Sequence, residues 1–377
     1  MPIERLADLA NPATTPRIVF KVGSALLFGA GGVPDREWLA SLVAEIAAAH
    51  ARGQQVIIVS SGAIALGSAR LGFAKGGRGS LADAQASAAV GQIALAGLWS
   101  DLLATHGIVA AQLLLTLEDL EDRRRYLNAS ATLGRLLQAG AVPVINENDS
   151  VATQEIRFGD NDRLAARVAQ AASAQAVVLL SDVDGLYDRH PSEPGASLLE
   201  QVKGVTADVH AMASGTSGSG MGSGGMTSKL QAAEIATRAG ITLAIANGTH
   251  ASPLARALGE EIGTLFTPVR RDGARKAWLG GRLRMKGLLV VDDGCARALA
   301  RGGSLLASGI VEVEGDFRRG DPVIVRDQAG GQLAQGLSEY DAAEIDRIRG
   351  ARSNQQEELL GYAPRSAVIH RDQLVLL

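Results

Sequence analysis

Five short runs of almost unbroken apolar residues constrain the fold before any motif is considered. Arg17–Val22 (RIVFKV), Val56–Val59 (VIIV), Val142–Ile145 (VPVI), Ala176–Leu180 (AVVLL) and Ile241–Ala246 (ITLAIA) have hydrophobic side chains for both faces of a strand. A strand with one wet face alternates; one that does not alternate is buried on both sides, as happens where helices cover both faces of a mainly parallel sheet. The intervening segments supply those helices. Pro34–Arg52, Leu81–His106, Asp122–Gln138, Asp162–Ala172 and Met226–Arg238 have helical spacing, while Ile108–Leu115 reads as extended. Pro34 near the start and Gly53 just past the end bracket the first helix. The expected class is α/β, an open, mainly parallel sheet sandwiched by helices. Ligands of such sheets sit beyond the carboxyl ends of the strands. There the sequence places its most polar loops: KVGS, SSGA, INENDS and SDVDG.

The texture changes after Phe266. Residues 267–276 are charged, carry Pro268 and Gly273, and read as a linker. Short β-like pieces follow (LLVV, IVEVEG, DPVIVRD), giving a second, small domain of β-barrel type over 277–360. The expected organisation is a polar tail at 1–16, a large α/β domain at 17–266, the linker, the small domain and a C-terminal extension at 361–377.

Composition excludes several classes. With 37 basic and 40 acidic residues the net charge is −3, without the basic excess of a dedicated nucleic-acid binder. One cysteine, Cys295, cannot form an internal disulfide, which fits a reducing, cytoplasmic compartment. The first residues lack the apolar block of a signal peptide, and no run reaches the ~18 apolar residues of a membrane span, so no membrane partner is expected. The six histidines show no paired metal-ligand spacing, and there is no G-x-S-x-G elbow. Glycine, at 45 of 377 residues, is in excess and points to tight turns and backbone-lined sites.

Part of that excess lies in Ser214–Gly225 (SGTSGSGMGSGG), six glycines in twelve residues. Such a stretch can be a flexible linker. Its G-x-G-x-x-G match is not a dinucleotide fingerprint, because the preceding VTADVHAMAS reads as helical rather than as a strand. The continuation GGMTSKLQAAEIATRAG favours a phosphate site: glycines run straight into a helix with hydroxyls and Lys229 in its first turn, where free N–H groups and the dipole attract anions. Lys21 ends the first strand, either as a solvated charge or facing the same ligand. Asn146–Val151 and Gly159–Asp162 bring Glu147, Asp149, Asp160 and Asp162 within sixteen residues. They are either ordinary polar loop and cap residues or acids that require cations, such as a substrate ammonium, Mg²⁺ or the two lysines. SDVDG at Ser181–Gly185 is either an Asp-Gly turn or a nucleoside contact.

Taken together, the sheet-end lysine, SSGAIALG (Ser60–Gly67), INENDSV, FGDND, LLSDVDGLY and GGMTSK resemble the glutamate 5-kinases of the amino acid kinase family, and the C-terminal piece resembles a PUA domain. The resemblance runs from about Arg17 to about Leu360. It implies ATP and Mg²⁺ as cofactors, phosphorylation of the γ-carboxylate of L-glutamate, proline as feedback inhibitor and a homo-oligomer. Residue by residue it implies Lys21, Lys229 and Asp162 as catalytic; Ser61, Asp149, Asn161, Asn146 and Asp160 as substrate-binding; and Lys21, Ser181, Asp182 and Ser223, Gly224, Gly225, Met226, Thr227, Ser228 and Lys229 as ATP-binding. It assigns no metal ligand to protein side chains, Mg²⁺ being held mainly by ATP phosphates. The chain departs from the family pattern at KVGSAL, at Ser181 where threonine is common, and at His190-Pro191 in place of Asp-Pro.

A carboxylate acceptor titrates near ~4.3 and is ionised at neutral pH, so the chemistry requires no general base. RNA binding, which PUA domains often perform, is a competing class. Arg275–Asn354 holds 13 basic and 11 acidic residues, a net of only +2. The joint INENDSV and GDND match disfavours kinases acting on acetylglutamate, aspartate or carbamate.

Overall fold

The computed structural model describes residues 2–29, 33–151, 161–214, 225–268, 285–365 and 367–377. The chain divides into two compact units, Met1–Glu121 with Ala129–Arg271, and Asp122–Asn128 with Asp272–Leu377.

The first unit contains an eight-stranded sheet: β1 (Arg17–Val22), β2 (Gln55–Ser60), β3 (Ala110–Leu115), β4 (Val142–Glu147), β5 (Ala176–Ser181), β6 (Gln201–Lys203), β7 (Thr242–Asn247) and β8 (Thr264–Thr267). The spatial order is β3-β4-β2-β1-β5-β7-β8-β6. Every pairing from β3 to β7 is parallel, and β8 turns back antiparallel to β7 while running parallel to β6. The parallel strands therefore end on one common edge. The helices of the chain up to this point are α1 (Ser24–Leu27), α2 (Arg36–Ala51), α3 (Ala63–Leu71), α4 (Leu81–Ala104), α5 (Leu117–Glu121), α6 (Arg123–Gln138), α7 (Asn161–Ala171), α8 (Ala207–Ser214) and α9 (Met226–Arg238). As the unbroken hydrophobic runs require, β1, β2, β4, β5 and β7 are buried almost throughout.

Three segments differ from the sequence expectation. The supposed polar tail is part of the core: Leu6–Ala10 forms a 3-10 turn, and Ile3, Leu6 and Leu9 pack with β1 and β2 residues. Their i, i+3, i+6 spacing places them on one side despite polar neighbours. Thr267 belongs to β8 rather than to a linker, and linker residues 269–276 lie outside the described residues. The C-terminal extension is also structural, because Leu374–Leu376 joins the second sheet.

Helix α4 is long and apolar enough, by length and composition, to cross a membrane, although no single run in the sequence suggests it. Leu95, Leu98, Trp99 and Leu103 nevertheless lie in the core, and Trp99 Nε1 donates to Ser60 Oγ at 2.9 Å. Its other side meets α3 at backbone contact. A Cβ on Gly67 would stand 1.7 Å from the Ser87 carbonyl oxygen, and one on Gly91 would stand 1.8 Å from that of Ala63. These two glycines therefore serve a helix crossing rather than a ligand loop. Gly62, just before α3, has φ +111° and allows the sharp exit from β2.

The second unit contains β9 (Gly287–Val291), β10 (Ile310–Glu314), β11 (Pro322–Asp327), β12 (Gln332–Leu337) and β13 (Leu374–Leu376) in the order β10-β9-β11-β12-β13. Leu289, Phe317, Val323, Val325, Tyr340 and Ile345 form its own core.

Gly67→Ala should force α3 from α4 and destabilise the protein by about 1–3 kcal/mol, the usual cost of overpacking. Thermal unfolding checks this; an unchanged Tm contradicts the backbone-contact crossing.

Candidate active site

Lys21 is the penultimate residue of β1, the strand paired with both β2 and β5, in register with Val59 and Leu179. It is buried, as is Lys229 in the first turn of α9. Two buried ammonium groups need anionic compensation. Asp162, in the first turn of α7 and 2% exposed, supplies it: Oδ1 lies 2.5 Å from Lys21 Nζ and Oδ2 lies 3.3 Å from Lys229 Nζ. Burial alone would push the Asp162 carboxyl up, but the charges and hydrogen bonds of both lysines outweigh it and hold it below the usual carboxylate range. Ser228 Oγ stands 3.5 Å from Asp162 Oδ2.

A lysine in the first turn of a helix opposes the dipole, so Lys229 is placed there at a cost that Asp162 offsets. Gly225 precedes α9 and gives it no side-chain cap; the Ser228 N–H bonds back to the Gly225 carbonyl at 3.0 Å, and the N–H groups before it are placed for an anion or water. Met226, Thr227 and Ser228 share this turn.

One residue before Asp162, Asn161 turns to a second network. Its Nδ2 donates to Ser61 Oγ at 2.8 Å and to Asn146 Oδ1 at 3.2 Å. Asn146 Nδ2 in turn donates to Gln92 Oε1 at 2.8 Å. A cavity of about 310 Å³ adjoins this chain, lined by Gln92, Ile93, Glu147, Asn148, Asp149 and Ser150 among others. Burial pushes the Asp149 carboxyl up to about 6, only partly countered by the charge of Arg78.

Ser181 ends β5, buried, with its Oγ donating to the exposed Asp182 at 3.0 Å. These two lie on the same edge as Lys21 without a direct contact to it. Further along, Asp184 pairs with Arg256 at 2.8 Å and accepts from Asn247 Nδ2 at 3.2 Å, which ties the loop after β5 to the end of β7. Burial raises the Asp184 pKa, but the hydrogen bonds from Arg256 and Asn247 more than reverse this and leave it lowered. Asp160, Ser223 and Gly224 lie outside the described residues. Gln92 and the Asp184–Arg256 pair escape sequence reasoning: Gln92 stands in an alanine-rich helix with no motif around it, and Arg256 is 72 positions from its partner. Among the described residues no group of three His, Cys, Asp or Glu side chains is arranged to hold a metal ion.

Residues 16–247 match the amino acid kinase family and residues 287–360 the PUA domain. The glutamate 5-kinase of Novosphingobium aromaticivorans is 68% identical over all of both chains. That of Sphingopyxis alaskensis is 57% identical over 98% of this chain and 100% of its own. That of Zymomonas mobilis is 53% identical over 97% and 93%. The chain belongs to the amino acid kinase family and carries a C-terminal PUA domain. Within that family it groups with the glutamate 5-kinases as a phosphotransferase.

The raised pKa of Asp149 has a consequence for stability. A carboxyl with a higher pKa folded than unfolded binds extra protons in the folded state between about pH 4 and 6, so its burial destabilises the protein above that range and not below it. Asp149→Asn should raise Tm at pH 7.5, with the gain vanishing toward pH 4. An equal gain at both pH values, or none, contradicts the assignment.

Proposed function

We propose that the chain transfers the γ-phosphoryl group of ATP to the γ-carboxylate of L-glutamate, giving L-glutamyl 5-phosphate, the first step of proline biosynthesis, in the cytoplasm. The observation that carries this reading is the pair of buried lysines around Asp162, joined through Asn161, Asn146 and Gln92 to a pocket lined in part by Asp149, an acid that the charge of Arg78 compensates only in part. The full-length similarity to glutamate 5-kinases supports it.

The acceptor carboxylate is already ionised, so the reaction needs no proton abstraction. Its difficulty is the approach of an anion to a polyphosphate, since two unit charges at ~4 Å repel by about 4 kcal/mol at an effective dielectric of ~20. Lys21 and Lys229 neutralise the transferring group, and Asp162 holds both ammonium groups at its position. The amides of Gly225, Met226 and Thr227 at the start of α9 receive the phosphates, with Ser228 beside them in the same turn. Ser223 and Gly224 extend this loop in sequence. Ser181 and Asp182, at the end of the adjacent strand, serve the nucleoside. Mg²⁺ enters as part of the MgATP substrate, on its phosphates.

On the acceptor side, Ser61, Asn161 and Asn146 orient glutamate, and Asp149 pairs with its α-ammonium, exchanging the cost of burial for an ion pair. Asp160 belongs to this side by its place in the GDND motif. In-line transfer between the two sides passes through no phospho-enzyme. We extend the reading to a homo-oligomer with proline as feedback inhibitor. Ile93 is 76% exposed and Val109 69%, the kind of apolar surface a second copy covers.

Incubation with ATP, Mg²⁺, L-glutamate and hydroxylamine should yield γ-glutamyl hydroxamate, with acetylglutamate and aspartate inactive; product from either of these but not from glutamate reassigns the substrate. Lys229→Met should lower kcat by about 100- to 1,000-fold, the usual effect of losing one transition-state charge donor. Near-normal turnover removes Lys229 from the chemistry. Ile93→Lys should shift sedimentation toward a smaller species, and an unchanged profile places the subunit contact elsewhere.

A further inference from the structure

The polar network beside the cavity has one anomaly. Asn161 is 5% exposed, and its Oδ1 is buried without a hydrogen-bond partner. A buried acceptor left unsatisfied is costly, and a native one requires a reason. The reason lies in the direction of the chain of amides. Asn161 Nδ2 serves two acceptors, Ser61 Oγ and Asn146 Oδ1. Asn146 turns its oxygen toward Asn161 because its nitrogen is committed to Gln92 Oε1 at 2.8 Å. Each primary amide has a donor end and an acceptor end, so fixing one orientation fixes the next.

We infer that Gln92 is a positioning residue for the amino-acid substrate: by accepting from Asn146, it sets the polarity of the Gln92–Asn146–Asn161–Ser61 chain. In that polarity Asn161 presents a bare acceptor, suited to a substrate ammonium, and Ser61, whose oxygen already accepts, keeps its O–H as a donor for a carboxylate. Without the Gln92 oxygen the reversed polarity, in which both amides turn over and Asn146 Nδ2 donates to Asn161 Oδ1, is no longer penalised. Asn161 would then turn its own donor toward the ammonium it should accept from. Gln92 is held for this task by the fold. Its neighbour Gly91 forms the close crossing with α3, the helix that begins two residues after Ser61. The inference rests on the proposed function, since it concerns recognition of glutamate.

The test uses the full-length protein and the hydroxamate assay. Gln92→Met keeps the length of the half-buried side chain and removes the acceptor. It should raise the KM for L-glutamate about tenfold or more while the KM for ATP stays within about twofold, as expected for loss of a hydrogen bond to a charged ligand. In an Asn146→Ala background, where there is no amide left to orient, the same substitution should add less than about twofold. A Gln92→Met enzyme with unchanged KM for glutamate overturns the inference. So does an equal rise in both KM values, or effects of Gln92→Met and Asn146→Ala that multiply. If Asn146→Ala fails to fold, the single variant still decides. A wild-type protein that forms no hydroxamate with glutamate overturns the proposed function and this inference with it; an active wild type with an unaffected Gln92→Met overturns the inference alone.

Discussion

The buried carboxylate of Asp162 is the interaction on which the site depends. Two lysines are drawn to one position by unrelated elements, Lys21 by the central strand and Lys229 by the start of a helix whose dipole repels it. Burying either ammonium without a counter-charge is costly, because its desolvation costs several kcal/mol. With one carboxylate between them the trio carries a net charge of +1. It is stable enough to fold and is still attractive to a polyanion. A second acid would neutralise the site, and none at all would leave two like charges a few ångströms apart.

The same helix turn organises the acceptor side. Asn161 and Asp162 are consecutive in α7, and successive side chains on a helix diverge by about 100°. One residue therefore faces the lysines while its neighbour faces Ser61 and Asn146. A single helical start, with the buried apolar residues Leu164, Ala165, Val168 and Ala169 behind it, sets the spacing between the lysine pair and the amide network, which on the proposed function are the phosphate donor and acceptor sides. Such spacing is what a direct transfer requires, since reacting atoms must be held at near-contact distance. The sheet contributes the common edge, and α7 contributes the alignment across it.

Much of this was legible in the sequence because it rests on local signals. Unbroken hydrophobic runs report burial on both faces, and the polar loops that end them report the ligand edge. The glycine–lysine junction before α9 is legible as a helix start with Lys229 in its first turn, and the structure has that helix begin at Met226; the phosphate reading belongs to the proposed function, and residues 215–224 lie outside what the structure describes. The illegible parts depend on contacts between distant segments. Gly91 falls inside a segment with helical spacing and Gly67 inside the SSGAIALG motif, and the role they share appears only when two helices meet at backbone distance. Ile3, Leu6 and Leu9 sit among charged neighbours, so the average polarity of the segment concealed a buried stripe. Gln92 is one amide on a mostly apolar helix, and its significance comes from Asn146, 54 positions away.

Burial pushes two acids of the site the same way, upward, and they part only because one of them has cations beside it. Asp162 is compensated from within the protein and keeps its charge easily; Asp149 receives only partial help from Arg78 and has its pKa raised to about 6. If both were neutralised internally, the pocket would have no reason to attract a cation; if neither were, the lysines could not be held. The asymmetry divides the labour. On the proposed function, the fully compensated acid belongs to the phosphate side, and the under-compensated one is left for a charge that the substrate brings. An amino acid with its α-ammonium group supplies that charge, whereas an acylated amine, being neutral, does not. On that reading the cost of burying Asp149 is recovered on binding a free amino acid and not an acylated one, which would make the under-compensated acid a device for specificity.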